Sequence, residues 1–437
     1  MFRKALYLLT LCVASIGAMA QPSIAEQQLA SNHNRSGSNH YAYPYPAQQL
    51  PKLTPAPAGY EPFFINHYGR HGSRWLTKQS TYDQPVATLE HLQQQHLLTK
   101  RGEVLLDIMR KVALESRGRI GELSDVGAVQ HQGITQRMCD NFPEVMSGDA
   151  VIDARSTVWI RCILSMGNAT AQIKAFNPQA RITTDASYHD MYYTGWGHGE
   201  DTLANPQRKA IRHISDSIFN ARVRPERFMS QLVTDGNYCA THFKQCAKLM
   251  EDVFDVAGSL QNHHAFDGID LFNYFTDDEI YELWKVKNIY WYLQWGNSPQ
   301  GGNRMPFIER ALLTNMINTA DSVIALPQGW HGAALRFGHE TCVLPLACLL
   351  EIDNVNYSCN DLNTLHEHWR NYEIFPMACN VQMVFYRNAS NDVLVKVLFN
   401  EHEAKLPFST STFPYYRWND IKPYYVEKLK TRINWPK

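Results

Sequence analysis

Apolar residues along the chain occur in two patterns, short continuous runs and longer stretches with helical spacing. Two alternating runs at 380–386 and 393–399, separated by Asn388-Ala389-Ser390-Asn391, predict a β-hairpin. From 89 to 117 the apolar positions recur at helical spacing, and Gly102 predicts an internal break. Further short segments predict strands at 63–66, 151–154, 182–185 and 333–337.

The middle of the chain follows a different pattern. Between 195 and 299 the apolar spacing predicts helices at 208–219, 225–232, 243–260 and 277–295, with no convincing strand among them. Strands that alternate with helices on both sides of a helical middle predict an α/β fold, with a mixed central sheet flanked by helices and an inserted all-α cap domain. We therefore expect an α/β domain formed by 61–194 and 300–437, an inserted helical domain at 195–299, and an irregular leader at 21–60.

The first twenty residues have the pattern of an export signal. Arg3 and Lys4 precede a mostly apolar stretch, and Ala18-Met19-Ala20 is a small-x-small cleavage site. The apolar stretch is too short for a membrane span, and no other stretch is apolar enough. The pattern predicts a signal peptide at 1–20, a mature chain that starts at about Gln21, and a periplasmic or secreted protein without a membrane span.

The net charge and the cysteine pattern of the chain make some classes of function unfavourable. The chain has 41 Lys and Arg against 42 Asp and Glu, a formal net charge of −1, which does not favour nucleic-acid binding. Eight cysteines follow the predicted signal peptide, and in an oxidising compartment Cys239/Cys246 and Cys359/Cys379 are plausible disulfide pairs. No C-x-x-C motif is present, so a zinc or redox centre gets little support.

The stretch Arg70-His71-Gly72-Ser73-Arg74 directly follows the first predicted strand. Each guanidinium offers a planar fork of donors that matches phosphate oxygens. The imidazole between them has a nitrogen that can attack phosphorus, and glycine lets the backbone approach an anion closely. Ligands of open α/β sheets bind beyond the carboxyl ends of the strands. The stretch therefore predicts a phosphate site with a histidine nucleophile rather than a surface loop with two unrelated arginines.

Two further segments fit the same site. Gly338-His339-Glu340-Thr341 follows a predicted strand and places an imidazole beside a carboxyl group. Arg161 lies early in a predicted helix that also follows a strand. A surface salt bridge for Arg161 and a helix-capping role for His339-Glu340 are the alternatives. Three arginines, two histidines and one acid around one anion predict a phosphomonoesterase site that requires no metal.

The chain resembles the histidine phosphatase superfamily, in particular its acid phosphatase and phytase branch and, within it, the bacterial type of multiple inositol polyphosphate phosphatases. The resemblance spans most of residues 60–405. It rests on R-H-G-S-R, the Gly-His-Glu-Thr loop, the block from Arg155-Ser-Thr to Ser165, and the closing Val395-Lys-Val-Leu-Phe-Asn-Glu-His-Glu hairpin. Two departures stand out: Leu76 replaces a proline that usually follows the first motif, and the acid directly follows His339 as in His-Asp rather than His-Ala-Glu.

The resemblance implies a role for each matched residue. His71 is the nucleophile that becomes a phosphohistidine, and Glu340 protonates the leaving alkoxide and then activates water. Lys78, four residues past Arg74, matches a lysine that phytases turn towards substrate. The phosphate oxygens are bound by Arg70, Arg74, Arg161 and His339.

The predicted function is an exported phosphohydrolase of inositol polyphosphates, with a small phosphorylated substrate, no cofactor, no metal and no nucleic-acid partner. An alternative in the same superfamily is a broad acid phosphatase or a glucose-1-phosphatase. Alternatives from other classes are a phosphoglycerate mutase-type phosphotransferase and a non-catalytic binder of phosphorylated ligands. A basic group in the helical middle could line a cleft for polyphosphates, although a solvated helix face is favoured; it comprises Arg208, Lys209, Arg212, Arg222, Arg224 and Arg227.

Overall fold

The computed structural model describes residues 21–45, 49–195 and 205–433. The predicted signal peptide at 1–20 lies outside the described residues. The described part has a central mixed sheet flanked by helices, which confirms the predicted α/β class. No helix within the described ranges is long and apolar enough to cross a membrane.

The sheet joins a parallel half to an antiparallel half. Its order is β3-β2-β4-β1-β5-β6-β7, and β8 pairs with β6. The strands β1 to β4 are mutually parallel neighbours, whereas β5 to β8 run antiparallel to their partners. The eight strands are β1 Glu61–Arg70, β2 Val151–Ser156, β3 Arg181–Asp185, β4 Gly332–Gly338, β5 Asn380–Arg387, β6 Val393–Phe399, β7 His402–Glu403 and β8 Tyr415–Arg417.

The α-helices are numbered here in chain order: α1 Ile24–Ser31, α2 Gln79–Gln94, α3 Lys100–Glu115, α4 Asp125–Asn141, α5 Pro143–Met146, α6 Ile160–Phe176, α7 Met191–Thr194, α8 Asn205–Arg222, α9 Glu226–Ser230, α10 Tyr238–Leu260, α11 Asp277–Trp295, α12 Arg310–Ile324, α13 Glu340–Leu350, α14 Leu365–His368, α15 Asn371–Ile374 and α16 Trp418–Leu429. Short 3-10 helices lie at His33–His40, Tyr188–Asp190, His264–Phe266, Phe272–Tyr274, Pro299–Gly301 and Met305–Glu309.

Three apolar cores hold these elements together. One face of the sheet packs on α11, α12, α13 and α16, and the other packs on α4, α5 and α6. The third core is helical and joins α9 and α10 of the middle region to α2 and α3. The predicted insertion at 195–299 therefore shares its core with helices that end 80 residues or more before it begins. This packing couples the helical region to the segment that follows Arg74.

Two local predictions were wrong. Gly102 does not break a helix: the break lies between α2 and α3, and the side chain of Thr99 caps α3 by accepting from the backbone N–H of Gly102. Residues 21–60 were expected to be irregular, yet they include α1 and a 3-10 helix. Helix α1 is short and only weakly amphipathic, so tertiary packing stabilises it: Ala25 and Leu29 are buried against Trp284.

The cysteines differ from the expected disulfide pairs. All eight described cysteines are free and buried. The thiols of Cys239 and Cys246 are in hydrogen-bonding contact across a kink in α10. Cys359 instead donates its thiol proton to the Asp361 carbonyl, at 3.0 Å, rather than pairing with Cys379.

Candidate active site

Parallel pairing of β1 with β4 brings the two histidine motifs together. Arg70 and Gly338, the last residues of the two strands, are direct neighbours in the register. The next residues, His71 and His339, therefore lie side by side, with ring centroids 5.6 Å apart at a steep angle. Strand β2 ends on the other side of β4 and leads into α6, which begins just before Arg161. The sheet thus places three segments far apart in sequence at one edge.

His71 has a nitrogen available for attack. The side chain is 1% exposed, and its Nδ1 lies 2.9 Å from the Gly72 carbonyl oxygen. A carbonyl oxygen can only accept, so Nδ1 carries the proton and Nε2 keeps its lone pair. Burial, then the charges of Arg161, Arg70 and Arg74, hold the pKa of His71 well below its usual value. The imidazole is therefore neutral, as a nucleophile requires.

Glu340 is the first residue of α13, and its carboxyl group faces His71. Its Oε2 lies 3.0 Å from Arg70 Nε and 3.8 Å from His71 Nε2. Burial alone would raise the pKa of Glu340, but Arg70, Arg74 and His339 outweigh burial and lower it to about 2. The carboxyl group is therefore ionised in the unliganded site. An anionic substrate that neutralises the arginines would raise this pKa again.

Several guanidinium nitrogens of the site are buried without a hydrogen-bond acceptor. Arg70 is completely buried; its Nη1 donates to the Phe375 carbonyl at 2.9 Å, whereas its Nη2 has no partner in the described structure. Nε of Arg74 and Nε of Arg161 are likewise without one. A buried donor without an acceptor costs about 1–3 kcal/mol. Burial also lowers the pKa of Arg74 to about 10. The site therefore favours an anion that accepts from these groups.

His339 completes the group at the sheet edge. Its Nε2 lies 3.4 Å from the Thr157 hydroxyl oxygen and 3.8 Å from the Cys162 sulfur. Burial, followed by the charge of Arg161, lowers the pKa of His339 to about 3. His339 is therefore neutral and can serve as a hydrogen-bond partner for a phosphate oxygen. All six residues predicted as catalytic or phosphate-binding thus lie in one group, in which five are buried and Arg161 is partly exposed; their roles stay predictions.

The loop after β1 is held rigidly. A Cβ at Gly72 would lie 2.5 Å from the Gly127 carbonyl oxygen, so α4 approaches too closely for any other residue. The N–H of Ser73 donates to Gln130 at 2.8 Å, and its hydroxyl donates to Asn262 at 2.6 Å. At Leu76, where the family that the sequence resembles usually has proline, the backbone N–H donates to the Tyr82 hydroxyl at 3.0 Å. Proline could not make that bond, so a hydrogen bond provides the stiffness here.

Lys78 is not among the buried residues of this group. It is exposed at the start of α2, and no hydrogen bond or ion pair joins its ammonium to another described residue. Its predicted contact with substrate stays a prediction. The basic group in the helical middle is partly paired: Arg222 contacts Glu282, and Arg227 contacts Glu279. This pairing favours the solvated-face interpretation for those two arginines.

The structure adds residues that the sequence did not indicate. Asn39 donates its side-chain amide to Glu340 Oε1 at 3.3 Å, and His40 next to it lies within reach of the Arg74 and Arg70 charges. Arg119 lies over the Trp75 ring, with its guanidinium carbon 5.7 Å from the ring centroid, and is exposed without an acidic partner in the described structure. No pattern in the sequence pointed to Asn39 or to Arg119.

Three residues of the same group could in principle supply ligand atoms to a metal ion. Donor atoms of His71, His339 and Glu340 all lie within 4.8 Å of one another. However, the charges of Arg70 and Arg74 act on these same residues and would repel a cation. The electrostatics of the site therefore fit an anionic ligand better than a metal ion.

Solved structures share this fold. A Bifidobacterium longum multiple inositol polyphosphate phosphatase in complex with inositol hexasulfate superimposes with a TM-score of 0.71 at 18% identity, covering 89% of this chain and 97% of the other. The phytase from D. castellii gives 0.66 at 14% identity, with 97% and 91% covered. A Hafnia alvei phytase in complex with myo-inositol hexakis sulphate gives 0.53 at 12% identity, with 85% and 98% covered.

Comparisons at the level of sequence add nothing to this result, since no protein-family model and no curated protein match the chain. The structural matches nevertheless extend over most of each partner's length. The chain therefore has the fold of these phosphatases and phytases, with the sheet-edge site described above.

Proposed function

We propose that this protein is a phosphatase that hydrolyses inositol polyphosphates through a phosphohistidine on His71. The observation that carries the proposal is the buried group of unpartnered guanidinium nitrogens around a neutral imidazole with a free Nε2. Such donors stabilise the charge on the oxygens of a phosphoryl group during transfer.

The proposed reaction has two steps. In the first, His71 Nε2 attacks phosphorus, the bond from phosphorus to the inositol oxygen breaks, and Glu340 gives its proton to the leaving oxygen. In the second, the Glu340 carboxylate takes a proton from water, which attacks phosphorus. The phosphorus–nitrogen bond then breaks, its electron pair returns to Nε2, and inorganic phosphate leaves. Substrate phosphate would neutralise Arg70 and Arg74 and thereby help to protonate Glu340 for the first step.

Two features support a polyphosphorylated substrate over a monophosphate. Lys78 and Arg119 are exposed cations near the phosphate loop and lack acidic partners in the described structure. In addition, the Bifidobacterium longum phosphatase and the Hafnia alvei phytase, which share the fold, were solved in complex with inositol hexasulfate and myo-inositol hexakis sulphate.

The test is a comparison of kcat/KM for inositol hexakisphosphate, glucose-1-phosphate and 2,3-bisphosphoglycerate, measured without added metal. The proposal expects the highest value for inositol hexakisphosphate. Preference for glucose-1-phosphate would favour the glucose-1-phosphatase alternative, and transfer of phosphate between phosphoglycerates would favour a mutase. Binding of all three without turnover would favour a non-catalytic binder.

Export is part of the proposal and is tested separately. We propose that residues 1–20 are removed and that the mature protein begins at about Gln21 in the periplasm or outside the cell. Amino-terminal sequencing of the protein recovered from those fractions checks this. Recovery of the intact chain from the cytoplasm alone would contradict it.

A further inference from the structure

The segment before β1 is fixed against the helical region beside the active site. Gly37 meets Gly258 of α10 so closely that a Cβ at Gly37 would lie 2.8 Å from the Gly258 carbonyl oxygen. Ser38 next to it takes a left-handed φ of 60°. This conformation is costly for a residue with a side chain. Its hydroxyl accepts from the Asn371 amide at 2.6 Å, which helps to hold it. The backbone is thus fixed immediately before Asn39.

The same segment is joined to the phosphate loop through one side chain. The amide nitrogen of Asn262 donates to the His40 carbonyl at 2.9 Å, and the amide oxygen of Asn262 accepts from the Ser73 hydroxyl at 2.6 Å. Asn262 therefore connects the segment with the loop that carries His71. Any displacement of Asn39 relative to the nucleophile would strain these bonds.

Asn39 contacts only one of the two oxygens of the catalytic acid. Its Nδ2 donates to Glu340 Oε1, whereas Oε2 faces His71 Nε2 at 3.8 Å. Arg70 Nε lies 3.0 Å from Oε2, but its N–H is not directed at that oxygen. An oxygen that accepts from an amide is poorly placed to carry the proton itself. The transferable proton of Glu340 is therefore directed to Oε2.

We propose that Asn39 is a positioning residue that holds Glu340 so that its proton sits on Oε2, the oxygen next to the nucleophile. This inference rests on the proposed function of Glu340 as the acid. It assigns to the amino-terminal segment a direct part in the site. Asn39 acts through Glu340 and needs no contact with the substrate. Its effect should therefore depend on how much protonation the leaving group needs.

The test compares N39L, N39A and the wild-type protein on two substrates. Leucine keeps the approximate volume of asparagine without a donor, and alanine covers the case in which leucine disturbs folding. The matched control is N34A, because Asn34 lies in the same segment on the other side of the kink at Ser38, is exposed, and makes no side-chain contact with Glu340. The substrates are inositol hexakisphosphate, with a poor alkoxide leaving group, and p-nitrophenyl phosphate, with a good one.

We expect both Asn39 variants to lower kcat for inositol hexakisphosphate about tenfold or more, and kcat for p-nitrophenyl phosphate less than about threefold. Inhibition by inorganic phosphate should be unchanged, because the arginines bind the anion, and N34A should behave as wild type. Equal slowing of both substrates, or no slowing of either, would overturn the inference. If the wild-type protein hydrolyses neither ester, the proposed function fails instead.

A pH profile separates positioning from a merely structural role. Glu340 is surrounded by Arg70, Arg74, His71, His339 and His40. None of them is altered in N39L. Loss of a donor to the carboxylate should move the basic limb of kcat to higher pH by about one unit. A variant with a lower kcat whose basic limb stays at the same pH as in the wild type would overturn the positioning role of Asn39.

Discussion

The candidate site is built from two sides of unequal character. We call the strand-end residues Arg70, His71, Arg161, His339 and Glu340 the sheet side. The helical side comprises Asn39, His40, Arg119 and also His263, whose ring centroid lies 4.0 Å from that of Trp75. Four of the five sheet-side residues are at most 6% exposed. Each of the five is the last residue of a strand, directly follows a strand, or lies in the first turn of a helix that comes after a strand. The helical side comes from three separate segments, and Arg119 is exposed.

Because of this difference, we expect the two sides to contribute to the reaction in different ways. Parallel strands that end at one edge hold the reacting groups in fixed positions, as covalent transfer requires. On the helical side, Asn39 donates to Glu340, whereas Arg119 and His263 pack on Trp75. We therefore expect sheet-side changes to affect every phosphate ester. Changes on the helical side should depend on leaving group, substrate charge or pH.

The largest effect is expected for His71→Ala. Loss of the nucleophile should lower kcat on every ester by on the order of 10⁴-fold or more, with folding retained. Steady-state assays and circular dichroism check this, and His264→Ala at an exposed position is the control. Full activity of the His71 variant would remove the covalent mechanism.

Glu340→Ala should produce the next largest effect. We expect kcat to fall about 100-fold for inositol hexakisphosphate and clearly less for p-nitrophenyl phosphate, whose leaving group needs little protonation. A series of aryl phosphates with leaving groups of increasing pKa checks the trend. An equal loss across the series would argue against the acid role of Glu340.

On the helical side, Arg119→Ala should act on substrate charge. We expect KM for inositol hexakisphosphate to rise about tenfold through loss of one exposed cation beside Trp75, while KM for p-nitrophenyl phosphate is unaffected. The matched control is Arg117→Ala, because Arg117 is an exposed arginine in the same turn whose guanidinium is paired with Asp83 at 3.4 Å. Identical behaviour of the two variants would place Arg119 outside the substrate path.

His263 provides a test based on stability. It is 3% exposed, its ring centroid lies 4.0 Å from that of Trp75, and both of its nitrogens lack partners in the described structure. Burial is the main cause that lowers the pKa of His263 to about 4. Above about pH 6.5 His263 is neutral in both the folded and the unfolded protein, and its titration costs no stability. As the pH falls from about 6.5 towards 4, the unfolded protein binds a proton at His263 that the folded protein does not bind, so the free energy of unfolding decreases.

Replacing His263 with phenylalanine removes this titration. The free energy of unfolding of the variant minus that of the wild type should be ~2 kcal/mol larger at pH 5 than at pH 8. Denaturant unfolding at both pH values measures the difference. A pH-independent difference would mean that His263 is not buried in the neutral form.

The two sides also differ in how far the sequence could predict them. On the sheet side, each motif lies beside a strand or helix with a clear apolar pattern, so Arg70, His71, Arg161, His339 and Glu340 could be placed at one edge before the structure was known. Parallel pairing of β4 with β1 on one side and with β2 on the other brings them together.

Prediction was harder on the helical side because its contacts depend on tertiary packing. Asn39 reaches Glu340 across 301 positions of sequence, and its segment is ordered by the close approach of Gly37 to Gly258. Neither feature leaves a local pattern. Helix α1 was missed for the same reason, since it is stabilised by contacts with Trp284 rather than by its own periodicity.

The most direct test of the covalent mechanism is to trap the phosphorylated enzyme. Wild-type protein is mixed with labelled substrate, quenched within one turnover, and digested for mass spectrometry under alkaline conditions that preserve phosphohistidine. The proposed mechanism predicts an acid-labile phosphoryl group on His71, absent from His71→Ala. An enzyme that hydrolyses the substrate but carries the label on Ser73, or on no residue, would contradict this mechanism.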